Sequence, residues 1–254
     1  MPSALLFALP LMGVAVLLEW RWARRHGRVV HDGPETLATI GVLLGNRLSR
    51  TTALPLMAAV HATFAPYAIA ELPLTPAVFL LGLLVMDFVY YWYHRFSHEI
   101  PFLWAMHQTH HTPEHINLLA AARLNWLGPW LVQPVLVVPM VLLGFPVEVA
   151  VGVAAVDLVF QFFLHTEAVP RLPWLEGWLN TPAAHRFHHA KNERCLDVNY
   201  GGILVVWDRL FGTWVEPDLP VEELEYGLTS GPQGNNPLWL VFGGLVRWAR
   251  REPV

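Results

Sequence analysis

Cysteine is nearly missing from this chain: Cys195 stands alone among 254 residues. That excludes an intrachain disulfide and any zinc module built on thiolates, so a metal bound here would rest mainly on imidazole. Charge is sparse as well. Only 14% of residues are charged, the formal net charge is −4, and the basic residues form no stripe, so nucleic acid is not an expected partner. No basic stretch precedes the apolar run of residues 2–18, which argues against a cleaved signal peptide. There is no internal repeat beyond the histidine clusters, no low-complexity tract and no second soluble domain.

Apolar sequence is what the chain has in quantity, at 54% hydrophobic residues with a mean hydropathy of +0.39. Blocks of spanning length predict an all-α integral membrane helical bundle of four to five spans, a single membrane domain over residues 1–254. A first span over 3–20 is followed by Arg21, Arg24, Arg25 and Arg28, which places its far end on the cytoplasmic side. Residues 36–70 read as one span or a re-entrant pair, since Arg47 and Arg50 interrupt the run and Pro55 and Pro66 would kink it. Residues 75–93 form a third span, and 127–143 with 146–164 form an apolar hairpin turning at Gly144-Phe145-Pro146. If 36–70 crosses once, parity returns both polar stretches, 94–126 and 165–254, to the cytoplasmic face. Residues 236–252, with Trp239 and Trp248 and terminal arginines, read as an interfacial helix or a plain docking helix.

Histidine organises the rest. His94 and His98 are four apart; His107, His110 and His111 repeat the spacing His-x-x-His-His, which returns at His185, His188 and His189. Residues three and four apart share a helix face, so each cluster turns its imidazoles one way. One zinc or iron ion takes three or four protein ligands, so eight imidazoles in three clusters fit a dinuclear centre. His165 ends the last span where the clusters gather and is a ninth candidate ligand. His115 continues the face of its cluster, although Pro113 interrupts the helix, and is a ligand or a supporting residue.

Several polar residues could support such a centre. Asp87 lies seven residues before His94 on nearly the same face and is expected to accept a proton from a ligand imidazole. Asp157, Gln161 and His165 recur every four residues down one face. Arg95, Glu99, Glu114, Glu167, Asn199 and Asp208 are polar neighbours that would orient imidazoles or remain ordinary surface charges. The segments 199–202 and 207–213 look like turns and short helices packing beneath the site.

An imidazole set with few carboxylates allows iron, zinc, copper or nickel. A centre at the membrane surface is open to a lipid tail, and breaking an unactivated C–H bond calls for O2 activated on iron rather than a zinc-bound water. A membrane lipid oxidase is therefore the leading expectation. A zinc-dependent membrane hydrolase is disfavoured because no glutamate completes a His-Glu-x-x-His arrangement. A metal transporter is disfavoured because the clusters follow span ends rather than the membrane centre.

The three clusters, together with 91–95, 103–111, His165-Thr166-Glu167, Asn180-Thr181-Pro182 and 207–213, resemble the fatty acid hydroxylase and sterol desaturase superfamily over about residues 75–215. The last run is similar to the branch containing alkylglycerol monooxygenase and bacterial sterol-desaturase-like proteins. The resemblance implies a non-haem di-iron centre that uses O2 to hydroxylate, desaturate or cleave a lipid chain. Its ligands would be His94, His98, His107, His110, His111, His165, His185, His188 and His189. Where some relatives carry a histidine four residues before the position of His165, this chain has Gln161, leaving a water or His115 to complete the shell. No electron-transfer module is attached, so reductant would come from a separate redox protein or a pterin. The expected setting is a membrane with the site on the cytoplasmic face, a bacterial inner membrane in particular.

Overall fold

The computed structural model describes residues 2–252, with side chains described from residue 10. Its helices are α1 (Pro2–Arg25), α2 (Gly33–Phe64), α3 (Pro76–Glu99), α4 (Pro101–His111), α5 (Gly128–Leu131), α6 (Gln133–Leu142), α7 (Val147–Phe162), α8 (Pro182–His189), α9 (Val206–Phe211) and α10 (Pro237–Ala249). Among the described residues the only β pairing is two isolated antiparallel bridges, Leu179 with Leu204 and Ala190 with Tyr226. The all-helical expectation therefore holds.

Proline sets several helix starts. It stands at the first helical position of α3, α4, α8 and α10, where its missing N–H costs nothing. Thr75, Thr181 and Asn236 precede three of them and accept hydrogen bonds from first-turn amides. A core between α3, α6 and α7 buries Met86, Met140, Phe145, Val149 and Val153. A second core of Ile116, Phe187, Cys195 and Tyr226 lies around α8. Each such side chain contributes roughly 1.5–3 kcal/mol through removal from water.

The span pattern differs from the expectation. Among the described residues α3 alone is long and apolar enough to cross a membrane. Residues 36–70 contain one continuous helix, α2, which carries Pro55 without a break and ends before a short 3-10 turn at Ala65–Tyr67; the re-entrant pair is not what forms. The anticipated hairpin consists of shorter pieces. Residues 128–142 break between α5 and α6 ahead of Pro134, and α7 has 16 residues, about 24 Å at 1.5 Å per residue, against a hydrocarbon core of about 30 Å. The first expected span, 3–20, lies within the single helix α1, and the side chains of its residues 3–9 lie outside the description.

α10 docks on α4 and α2, with Leu240 and Val241 packed against Ala38 and Val42. A Cβ at Gly244 would fall 2.4 Å from the Ala105 carbonyl oxygen, so only glycine permits this approach. The opposite side of α10 leaves Leu238 and Trp239 exposed, while Trp248, at the end of the docked face, packs on Phe102 of α4 with ring centroids 5.0 Å apart. α10 thereby braces α4, which carries three of the histidines.

Candidate metal centre

α3 and α4 form a tight helical pair joined at Ile100, while α8 comes from far along the chain, so three separate histidine faces meet. α8 is only eight residues long and would not persist alone. It holds because residues 183–189 are all buried and Thr181 caps its first turn.

All nine expected histidines come together, in two groups. His94, His98, His107, His111 and His188 form the first; His110, His165, His185 and His189 form the second. Within each group one nitrogen per ring lies within 4.8 Å of the others. The sequence spacing accounts for the division. Residues four apart, 94 with 98, 107 with 111 and 185 with 189, share a group, and the middle histidine of each His-x-x-His-His, His110 or His188, joins the other. The groups touch where His111 stacks on His189, with ring centroids 4.4 Å apart.

Three rings have their tautomer fixed. Nδ1–H of His94 donates to the Tyr200 carbonyl, that of His188 to Val198 and that of His165 to Gln161, each at 2.8 Å. Their Nε2 lone pairs are thus free for a ligand role. His98 Nδ1 faces the Asp197 carboxylate at 3.4 Å. Nε2 of His98, His111 and His188 is buried without a protein partner, as a nitrogen awaiting a cation would be. Nε2 atoms of His165 and His185 lie 2.9 Å apart, with His110–His165, His185–His189 and His94–His107 at 3.1 Å. Two ligands at about 2.1 Å from one metal are about 3.0 Å apart at a right angle and about 3.4 Å apart at the tetrahedral angle. These four shortest spacings are close to the first, while the remaining nitrogens of each group lie farther apart, within 4.8 Å of one another.

Electrostatics favour the same use. Burial, reinforced by neighbouring imidazoles, holds His107, His110, His111, His185 and His189 well below the usual histidine range. Burial takes His165 and His188 down to about 4. The rings stay neutral near pH 7, the form that ligates a metal.

A loop behind α3 aims two of these rings, and its key residue was legible only as an ordinary polar neighbour. Asp208 is fully buried and accepts from the amides of Tyr200 and Gly201 at 2.7 and 2.8 Å and from Thr213 Oγ1. Burial pushes its carboxyl up to about 6 in spite of these donors. Asn199 lies between the carbonyls that hold His188 and His94. It takes a left-handed φ of 58° and exchanges two hydrogen bonds with the Val215 backbone. Asn199 and Asp208 therefore set the carbonyls, and the carbonyls set the rings. Gly202 closes the loop against α3, where a Cβ would lie 3.1 Å from oxygens of both Asp87 and Asp157.

Three expectations need correction. Asp87 touches no imidazole; it accepts from the amides of Ile203 and Leu204 and from Trp207 Nε1. Seven residues put it about 10 Å below His94 along the helix axis, where the 203–207 backbone reaches it first. His115 is no ligand, because α4 ends at His111 and the chain turns away at Thr112-Pro113, pairing His115 Nδ1 with Glu35 at 2.7 Å. The side chains of Gln161 and Asp157 hydrogen-bond each other, and Gln161 also accepts from Tyr90. Gln161 supports His165 only through its backbone.

One cavity of about 450 Å³ reaches His98 between Trp104, Trp248 and Arg251. A second, of about 540 Å³, is bounded by α1, the end of α7 and residues 166–182, beside His165.

Fold and site thus define an all-helical protein built round a buried, paired imidazole cluster able to hold metal. The fatty acid hydroxylase family model matches residues 79–213, from within α3 past the last histidine cluster, and the chain belongs to that family. It is 42% identical over 171 residues to alkylglycerol monooxygenase of Xenopus tropicalis, covering 64% of this chain and 36% of that protein. The human alkylglycerol monooxygenase is 40% identical over 183 residues, 70% of this chain and 39% of that protein. Ornithine lipid hydroxylase of Rhizobium tropici is 29% identical over 219 residues, 84% of this chain and 65% of that protein. The chain therefore spans little more than a third of the alkylglycerol monooxygenases it matches. No solved structure matches it.

Proposed function

We propose that the chain is a membrane lipid monooxygenase whose nine histidines hold two iron ions, five imidazoles on one and four on the other. The division of the nine rings into two sets of converging nitrogens carries this reading. Iron in such a site supplies O2 activation and C–H oxidation when bound. The residues do the rest. The carbonyls of Tyr200, Val198 and Gln161 keep protons on Nδ1 and lone pairs on Nε2 of three rings. Burial keeps the centre dry and the rings uncharged. Among the described residues no carboxylate hydrogen-bonds to the nine rings; Asp197 faces His98 at 3.4 Å with a side chain 69% exposed, and Glu252 lines the cavity that reaches His98.

The membrane setting rests on the outer surface. Leu11, Val14 and Leu17 of α1, Leu44 and Leu48 of α2, and Leu80 and Leu84 of α3 are exposed, rows of large apolar side chains at helical spacing that suit a lipid-facing surface. The substrate is a lipid with a long alkyl chain, an alkylglycerol or an ornithine lipid as in the relatives' names. Electrons come from a separate redox protein or a pterin.

The test is O2 uptake by iron-loaded protein in lipid nanodiscs with a reduced pterin or a reduced ferredoxin. Uptake that depends on added alkylglycerol or ornithine lipid, with an oxidised lipid in equal amount, supports the reading. Failure of both lipids to raise uptake with either reductant would contradict it.

A further inference from the structure

Helix α9 is six residues long and packs against α3. Trp207 meets Phe88 with ring centroids 4.9 Å apart and its Nε1–H donates to Asp87, while the Phe211 ring lies 4.8 Å from that of Trp92. These contacts put α9 level with residues 87–92 of the one described helix that is long and apolar enough to cross a membrane. Counted from Pro76, Trp92 is about 24 Å along the helix axis, short of the roughly 30 Å of a hydrocarbon core. The far side of α9 is bare. Leu210 is 67% exposed, and Arg209 beside it is exposed as well.

The segment before α8 continues this surface. Trp174 and Trp178 are 74% and 64% exposed, although indole is among the largest apolar groups a chain can bury. The Arg209 guanidinium lies over the Trp178 ring at 5.5 Å and donates to the Gly177 carbonyl at 3.1 Å. The Val205 amide donates to the Trp178 carbonyl, so the segment and α9 are tied together. A second marker gives the depth: Leu172, Leu175 and Leu179 share a cavity wall with Leu18 and Trp22, in the last apolar turn of α1 ahead of Arg24 and Arg25. Both long helices carry the same pairing at this end, with Arg24 over Trp20 at 4.9 Å and Arg95 over Trp92 at 5.5 Å. Indole beneath a guanidinium suits the boundary between acyl chains and headgroups, where the ring stays in the apolar layer and the cation reaches out of it.

We propose that residues 172–179 and α9 form one lipid-facing patch in the phospholipid leaflet where α3 ends, with Trp174, Trp178 and Leu210 in its apolar layer and Arg209 at a headgroup phosphate. The proposal rests on the membrane setting of the chain and adds to it, since part of the polar stretch 165–254 then lies in the bilayer rather than in the water above. Position argues against a protein partner: beside α3, at the depth of its apolar residues, the patch is out of reach of a soluble surface.

The experiment places nitroxide labels through Trp178→Cys and Leu210→Cys in the full chain, held in phospholipid nanodiscs. The native Cys195 is buried and stays unlabelled. Power saturation compares collisions with O2, which concentrates among acyl chains, and with a water-soluble nickel chelate. Leu84→Cys, on the exposed face of α3, is the lipid reference. Glu225→Cys, at a side chain 71% exposed, is the water reference. Both patch labels should behave as at position 84, with O2 collisions several-fold above those of the chelate. Patch labels that behave as at 225, while position 84 reads as lipid, overturn the patch and keep the membrane setting; a water-like reading at 84 removes both. On the unsubstituted chain, a phosphatidylcholine with a diazirine near the glycerol end of its acyl chain should label residues 172–179 and 206–211, and label missing from both segments would equally overturn the proposal.

Discussion

The two histidine groups are built from the same parts and finished differently. The five-membered group takes two i, i+4 pairs, 94 with 98 and 107 with 111, plus His188; the four-membered group takes one pair, 185 with 189, plus His110 and His165. By that pattern a second pair would be 161 with 165, and position 161 is glutamine. The supporting bonds differ too. In the first group His94 and His188 donate to carbonyls of one loop and His98 faces Asp197. In the second only His165 has a well-formed bond of this kind; His110 has a looser approach to the Arg123 carbonyl, and Nδ1 of His185 has no partner. The five-membered group is thus the better-held metal site, and the four-membered one is the more open to a further ligand and to the apolar cavity.

The largest effect should come from removing one ligand on either side of the division. His188→Ala should empty the five-membered group and His165→Ala the four-membered one, each lowering activity by more than about 100-fold, beyond the cost of losing a supporting bond. Elemental analysis of both variants checks this; equal loss of both metals in each would erase the distinction.

Next is acid stability of the metal-free protein. His165 and His188 fall from 6.5 to about 4 in the folded chain. The unfolded chain therefore takes up protons first, and the fold loses stability as pH drops through this window. The slope is on the order of 1.4 kcal/mol per pH unit for each imidazole held neutral. Denaturant unfolding at several pH values measures it, and a flat profile between pH 6.5 and 4 would contradict the burial of neutral rings.

Smaller effects fall on the loop. Asp208→Ala strands the amides of Tyr200 and Gly201 and should cost about 2–4 kcal/mol, with metal lost from the five-membered group before the other. Asn199→Ala should cost about 1–2 kcal/mol from the left-handed backbone, a part that Asn199→Gly would restore; thermal melts with and without metal separate backbone from side chain. The mildest change is Gln161→His. It completes the second i, i+4 pair and should slow metal release from the four-membered group under chelation, and unchanged release would show that the two groups do not follow one pattern.

The nine histidines were legible because helical spacing is a local property: four-residue steps put rings on one face wherever the helix packs. The spacing also separates each i, i+4 pair from the histidine between them, but which pairs join in one group was not legible, since it depends on how α8 meets α4. His115 misled because its face ended with the helix at His111, and its partner Glu35 lies 80 residues away. Asp87 failed for a related reason, as the loop that takes its oxygens is more than a hundred residues downstream. Asp208 and Asn199 were visible as polar residues near the site, but nothing local marks an aspartate as the clamp of a loop. Apolar runs predicted helices and the turn at Gly144-Phe145-Pro146 correctly, and overstated one length, because the run 127–143 breaks between α5 and α6 ahead of Pro134.

The measurement that bears most directly on the account is iron stoichiometry with Mössbauer spectroscopy on anaerobically reconstituted protein, alongside His188→Ala and His165→Ala. The account predicts two irons per chain in inequivalent environments, with a different one lost in each variant. A single tightly held zinc, or iron retained in full by both variants, would contradict it.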